Sequence, residues 1–193
     1  EPERVADQAE QRIYDVARRE DTADTAIVGD LINEAMTELE SIQNRESAYT
    51  GLPTGFRDLD DLTSGLQPGN LVIIAARPGV GKSSLATTIA ANTALKNNSV
   101  VAIFTLEMAA EQLVQRMISS NTGINSQRLR LGHIEDMEWD QFTRSAATLS
   151  EAAIFIDDTP SPSPMEIRTK ARRLAAEYDL DLIIIDYLQL MQS

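Results

Sequence analysis

The stretch Leu71-Val72-Ile73-Ile74-Ala75-Ala76-Arg77-Pro78-Gly79-Val80-Gly81-Lys82-Ser83-Ser84 decides the fold. Leu71 to Ala76 is a short run of apolar and small residues that reads as a buried strand. Arg77-Pro78-Gly79-Val80-Gly81 reads as a tight turn, because glycine reaches backbone conformations that other residues resist and proline fixes its own φ. From Lys82 onward the pattern becomes helical and alanine-rich. Strand, glycine-rich turn and helix in that order present successive backbone N–H groups, and the positive end of a helix dipole, to one point. A nucleotide polyphosphate fits there. The candidate binding residues are Ala76, Arg77, Pro78, Gly79, Val80, Gly81, Lys82, Ser83 and Ser84. Lys82 is expected to reach the β- and γ-phosphates, and the Ser83 hydroxyl to complete a Mg²⁺ shell. The pattern G-x-x-x-x-G-K-[ST] would open at position 76, where this chain has Ala76; a small residue costs little there if its φ is negative.

Composition sets the outer limits. The chain has 193 residues, 42% of them apolar, enough for one domain with an appendage. It contains no cysteine, so disulfides and Cys-ligated metals are excluded, and its one histidine, His133, offers no pair for a metal site or dyad. No run approaches membrane-spanning length and no signal pattern opens the chain, so a cytoplasmic protein with no membrane partner is expected. The formal net charge is −13, and the first fifty residues hold 13 acids against 5 bases. No basic stripe advertises a nucleic-acid surface.

The apolar pattern alternates between two periods along the chain. Residues 4–19 read as a polar helix, followed by an acidic break. A second helix is expected over 25–45, where Ile27, Val28, Leu31, Ile32, Ala35, Met36, Leu39 and Ile42 repeat at helical spacing on one face without an obvious partner. Thr50-Gly51-Leu52-Pro53-Thr54-Gly55 reads as a boundary loop. Beyond it, helices are expected at 56–63, 82–96, 109–121, 126–131, 137–149 and 165–178, and strands at 71–76, 100–106, 153–157 and 182–186. Near-continuous apolar strands alternating with helices mean a mainly parallel sheet covered on both faces. Trp139 and Phe142 sit at i, i+3, the spacing of a core-facing pair.

A nucleotide hydrolase also needs a carboxylate supporting Mg²⁺ at a strand end and a group that activates water. Two strand ends offer the first: Ile185-Asp186, and Ile156-Asp157-Asp158, whose acids could instead cap the Pro-rich turn that follows. Strand composition favours Asp186. Glu107 ends the strand that follows the P-loop helix, at the sheet edge where ligands of open α/β sheets bind, and is the candidate general base. The alternative, less favoured, is an N-cap-region acid for the helix that starts near Ala109. Tyr187, not a glutamate, follows Asp186, which points to the RecA-like branch, where the base comes from a neighbouring strand.

Taken together, several blocks resemble the DnaB-type hexameric replicative DNA helicases: Thr50-Gly51-Leu52-Pro53-Thr54-Gly55-Phe56 with Leu59-Asp60, Ala75 to Ser83, Leu106-Glu107-Met108, Ile156-Asp157-Asp158-Thr159, and Ile185-Asp186-Tyr187-Leu188-Gln189-Leu190-Met191. The resemblance implies a RecA-like P-loop ATPase, α/β with a mainly parallel sheet truncated on its C-terminal side and preceded by a helical linker. It implies the end of an N-terminal helical domain at 1–24, a linker helix and loop at 25–50, and the N-terminal portion of the ATPase domain at 51–193. By the same resemblance ATP and Mg²⁺ are the cofactors, Lys82 and Glu107 are catalytic, Ser83 and Asp186 hold Mg²⁺ (the latter through water), and Gln189 senses the γ-phosphate. The helix at 25–45 would dock on the adjacent subunit of a homo-hexamer. Single-stranded DNA, primase and a helicase loader are the implied partners. DNA-gripping loops and an arginine finger would lie beyond Ser193, which would explain the missing basic surface and leave this chain weak or inactive alone. Two other readings remain: a RecA-like recombination or repair ATPase, and a nucleotide-binding oligomerisation module without helicase activity.

Overall fold

A computed structural model describes residues Val28, Gly29, Ile32, Met36, Thr37 and 49–191. The chain divides into two units, Glu1–Ala48 and Tyr49–Ser193. In the first, all five described residues are helical, and Val28, Ile32 and Met36 are exposed. The remainder of the helix expected at 25–45, and the whole of the one expected at 4–19, lie outside the described residues.

The second unit alternates helix and strand. Its elements are α1 (Arg57–Thr63), α2 (Lys82–Asn97), β1 (Val101–Thr105), α3 (Ala110–Thr122), α4 (Ser126–Arg130), α5 (Asp136–Glu151), β2 (Ile154–Asp157), α6 (Pro164–Tyr178) and β3 (Leu182–Asp186), with a final 3₁₀ turn at Leu188–Leu190. Local chemistry sets several boundaries. Gly123 ends α3 at φ 73°, its N–H donating to the Ser119 carbonyl. A capping box between Ser163 and Glu166 starts α6, with Pro164 in its first turn.

The sheet has the order β2-β1-β3, and both pairings are parallel. β1 is central and buried along its whole length. Its side chains alternate between two layers. Val101 and Ile103 pack with Ala90, Ala91 and Ala94 of α2 and Leu113 and Met117 of α3. Ala102 and Phe104 pack with Ile167 and Ala171 of α6. Small alanines on α2 let that helix approach the sheet closely.

The structure corrects two expectations. Leu71–Ala76 forms no strand among the described residues, and Leu71, Val72, Ile73 and Ile74 are exposed. A parallel strand needs ladder partners and cover on its faces, and an apolar run supplies neither by itself. On β3, Ile183 is likewise 45% exposed. The Trp139–Phe142 pair is also not core. The rings meet edge-on at 5.5 Å, but α5 has no buried residue and Trp139 is 48% exposed. Helical spacing fixed the contact and not its burial.

The loop before α1 is built around Asp60, which is 2% exposed. Its carboxylate accepts from the Thr54 N–H (2.8 Å), the Thr54 hydroxyl (2.6 Å) and the Gly55 N–H (3.0 Å). The Thr54 carbonyl in turn accepts from Asn92 Nδ2 of α2 at 3.1 Å, tying the loop to that helix. Alongside, Leu52 and Leu66 form an antiparallel bridge. Gly65, at φ 82°, crosses so close that a Cβ would stand 2.7 Å from the Gly51 backbone, so only glycine serves there. Asp60→Ala leaves three donors without their acceptor and is expected to destabilise this unit by about 3 kcal/mol in urea unfolding; an unchanged midpoint would show the network to be dispensable.

Candidate nucleotide site

The turn before α2 has the geometry its glycines permit. Gly79 has φ 77° and Gly81, the residue before the helix, has φ 110° and ψ 19°. Val80 N–H donates to the Arg77 carbonyl at 3.3 Å, closing the turn over Pro78 and Gly79. Open space surrounds both glycine Cα atoms, so backbone conformation, not crowding, demands glycine. Lys82 and Ser83 then stand at the start of a sixteen-residue helix. The first N–H groups of such a helix have no intrahelical acceptor and, with the dipole, attract an anion. Ala76, Arg77, Pro78 and Val80 are exposed along the same turn, Ser84 is exposed on α2, and Ser83 is half-buried.

Lys82 reaches across to the C-terminal end of β3. Its Nζ lies 2.8 Å from Asp186 Oδ1, with side-chain exposures of 27% and 9%. The same ammonium lies 4.2 Å from the centroid of the Tyr187 ring, a cation–π contact. The loop lysine and the strand-end aspartate, distant in sequence, thus meet as one charged pair. A carboxylate this far buried requires a partner, and Lys82 is the partner the structure gives it. Nothing in the sequence pairs Tyr187 with Lys82; its place directly after Asp186 is the one signal of the contact.

Glu107 lies two residues past the end of β1, exposed, in the bend that leads to α3. Thr105 of β1 is the register partner of Asp186 on β3, and Leu106 N–H donates to the Asp186 carbonyl at 2.7 Å. The backbone carrying Glu107 therefore runs directly beside the residue paired with Lys82. Gln189 falls in the 3₁₀ turn after β3 and is exposed.

The other strand-end acids are engaged elsewhere. Asp157 pairs with Lys170 of α6 and accepts from Thr159 N–H at 3.0 Å. Asp158 accepts from Ala110 N–H at the start of α3 (3.1 Å). Asp157 holds the Pro-rich turn, the alternative its sequence raised, whereas Asp158 serves the start of α3 instead. Burial pushes the Asp157 carboxyl up, but hydrogen bonds from Lys170 and Thr159 and the lysine charge outweigh it and hold the group below its ordinary value. Lys170 of α6 is thus committed to Asp157 and Thr159.

A glycine turn opening a helix, set against the C-terminal end of a parallel sheet, defines a P-loop α/β domain. The family model for the DnaB-like helicase C terminal domain matches residues 51–193, and the chain belongs to that family. It is 45% identical over 193 residues to the replicative DNA helicase DnaC of Bacillus subtilis (strain 168), covering 100% of this chain and 42% of that protein. It is 44% identical over 189 residues to the replicative DNA helicase DnaB of Geobacillus stearothermophilus, covering 98% of this chain and again 42% of the relative. The chain thus spans less than half the length of these relatives. Among solved structures it superposes on an ATPase domain with a TM-score of 0.77 at 31% identity, over 88% of this chain and 59% of that one. A DnaB-like replicative helicase, described with its interactions with primase, gives a TM-score of 0.74 at 28% identity, over 96% of this chain and 48% of the other.

The depressed Asp157 carboxyl makes a pH prediction. Its folded value lies below its unfolded one, so its contribution is present above the ordinary carboxylate range and is lost as pH falls through the folded value. The urea midpoint of the wild type should exceed that of Lys170→Met at pH 7, and the gap should close as pH falls below about 4. A gap that persists undiminished at about pH 3 would show that the pair's charge is not its source.

Proposed function

We propose that this chain is the nucleotide-binding portion of a replicative DNA helicase subunit, one that hydrolyses ATP at the interfaces of a hexameric ring and so drives movement along single-stranded DNA and unwinding. The observation that carries this reading is the meeting of Lys82 and Asp186 at 2.8 Å, beside the strand that delivers Glu107. Lys82 would turn from Asp186 to the phosphates, and the glycine turn with the first N–H groups of α2 would bind them. Ser83 and Asp186, both hard oxygen donors, fit Mg²⁺, which when bound would neutralise phosphate charge. Glu107 would hold the attacking water and accept its proton. Gln189, in the turn after Asp186, would respond to the γ-phosphate. Ala76, Arg77, Pro78, Gly79, Val80 and Ser84 complete the phosphate loop.

Family membership and relatives named replicative helicases support this assignment over a recombination or repair ATPase. Val28, Ile32 and Met36 are helical, four positions apart and each more than half exposed, which supports docking of the 25–45 segment on a neighbouring subunit of a homo-hexamer. Primase is proposed as a partner because a structural neighbour is described with it. A helicase loader and a cytoplasmic setting follow from the same family. Among the described residues no helix is long and apolar enough to cross a membrane.

In the intact protein, Lys82→Ala should weaken Mg·ATP binding by about 10- to 100-fold by calorimetry; normal affinity would remove Lys82 from the phosphates. Glu107→Gln should keep that affinity and lower hydrolysis by about 100-fold or more. Wild-type turnover in this variant would refute Glu107 as the base.

A further inference from the structure

We propose that Thr105 is the positioning residue for Glu107, its buried hydroxyl fixing the short turn from which the glutamate acts. This rests on the reading of Glu107 as the base. Thr105 is the last residue of β1 and is 1% exposed. Its hydroxyl donates to the Met108 carbonyl at 2.8 Å and accepts from the Met108 N–H at 3.2 Å. One side chain thereby spans Leu106 and Glu107 and satisfies both backbone groups of the residue beyond them. On the near side of Glu107, Leu106 N–H is bound to the Asp186 carbonyl at 2.7 Å. Glu107 is therefore held between two fixed points, one on the residue paired with Lys82 and one on the Thr105 hydroxyl.

The physical need is plain. Glu107 is exposed and Leu106, Glu107 and Met108 form a bend with no regular structure of their own. An unrestrained bend would let the carboxylate sample many positions, and an error of about 1 Å in a reacting group costs up to about 100-fold in rate. β-Branching limits the χ1 freedom of threonine, so the hydroxyl is presented in a fixed direction. Met108 packs against the first core layer, so the turn is anchored in apolar surroundings at its far end. Valine has the shape of threonine but would leave both Met108 backbone groups without this partner.

The test measures single-turnover ATP hydrolysis and Mg·ATP affinity in the intact protein for Thr105→Val, Thr105→Ser, Glu107→Gln and the double variant. Thr105→Val should lower hydrolysis by about 10- to 100-fold with affinity nearly unchanged. Thr105→Ser, which keeps the hydroxyl, should restore most of the rate. On the Glu107→Gln background, Thr105→Val should cost nothing further, because it acts through the glutamate. Wild-type hydrolysis by Thr105→Val, equal losses in the Ser and Val variants, or an additive double variant would overturn the proposal. If Thr105→Val does not fold, Thr105→Ala against Thr105→Ser isolates the same hydroxyl at smaller volume, and equal rates would overturn it. Wild-type hydrolysis by Glu107→Gln would instead refute the base assignment, whereas an inactive Glu107→Gln beside a normal Thr105→Val would refute the positioning role alone.

Discussion

The parallel pairing of β1 with β3, which sets Thr105 opposite Asp186, is the constraint on which the site depends. Parallel ladders tie strands that are distant in sequence at a defined register. Here that register brings the end of the strand carrying Glu107 to the end of the strand carrying Asp186. The Leu106-to-Asp186 backbone bond extends the ladder one step past β1. Every later feature follows from that edge: the Lys82 ion pair, the Glu107 bend and the turn bearing Gln189.

Burial gives the edge its electrostatic character. The two core layers on β1 are entirely apolar or alanine-lined, so the strand ends in a low-dielectric setting. A carboxylate there is costly unless paired, and Asp186 takes the ammonium of Lys82. Asp157, one strand away, takes Lys170 instead. The two strand-end acids, alike in sequence context, are separated by the elements that face them: α2 opposite β3, and α6 beside β2. Under the proposed function, a nucleotide at α2 would meet a lysine already held at the strand end, and phosphate and metal binding would exchange one set of charge partners for another.

The alternation of apolar strands with helical stretches made most elements of 49–191 legible. Boundaries fell within a residue or two because glycine and proline mark them chemically, as at Gly123 and Pro164. The strand expected at 71–76 is the informative exception. Its composition is as apolar as that of β3, yet pairing and cover are properties of neighbours, and the run alone cannot supply them. Trp139 and Phe142 show the same limit on a helix, since spacing fixes which side chains meet but not what covers them.

By itself, the sequence determined the class of site: two glycines able to take positive φ, a lysine and serine at a helix start, and acids at the ends of apolar strands. These are local matters of backbone freedom and side-chain chemistry. Tertiary structure alone decided which acid faces the lysine, that Tyr187 lies under the ammonium, and that the Thr105 hydroxyl closes the Glu107 turn. Those outcomes depend on strand order, register and burial, through-space quantities that no single segment encodes.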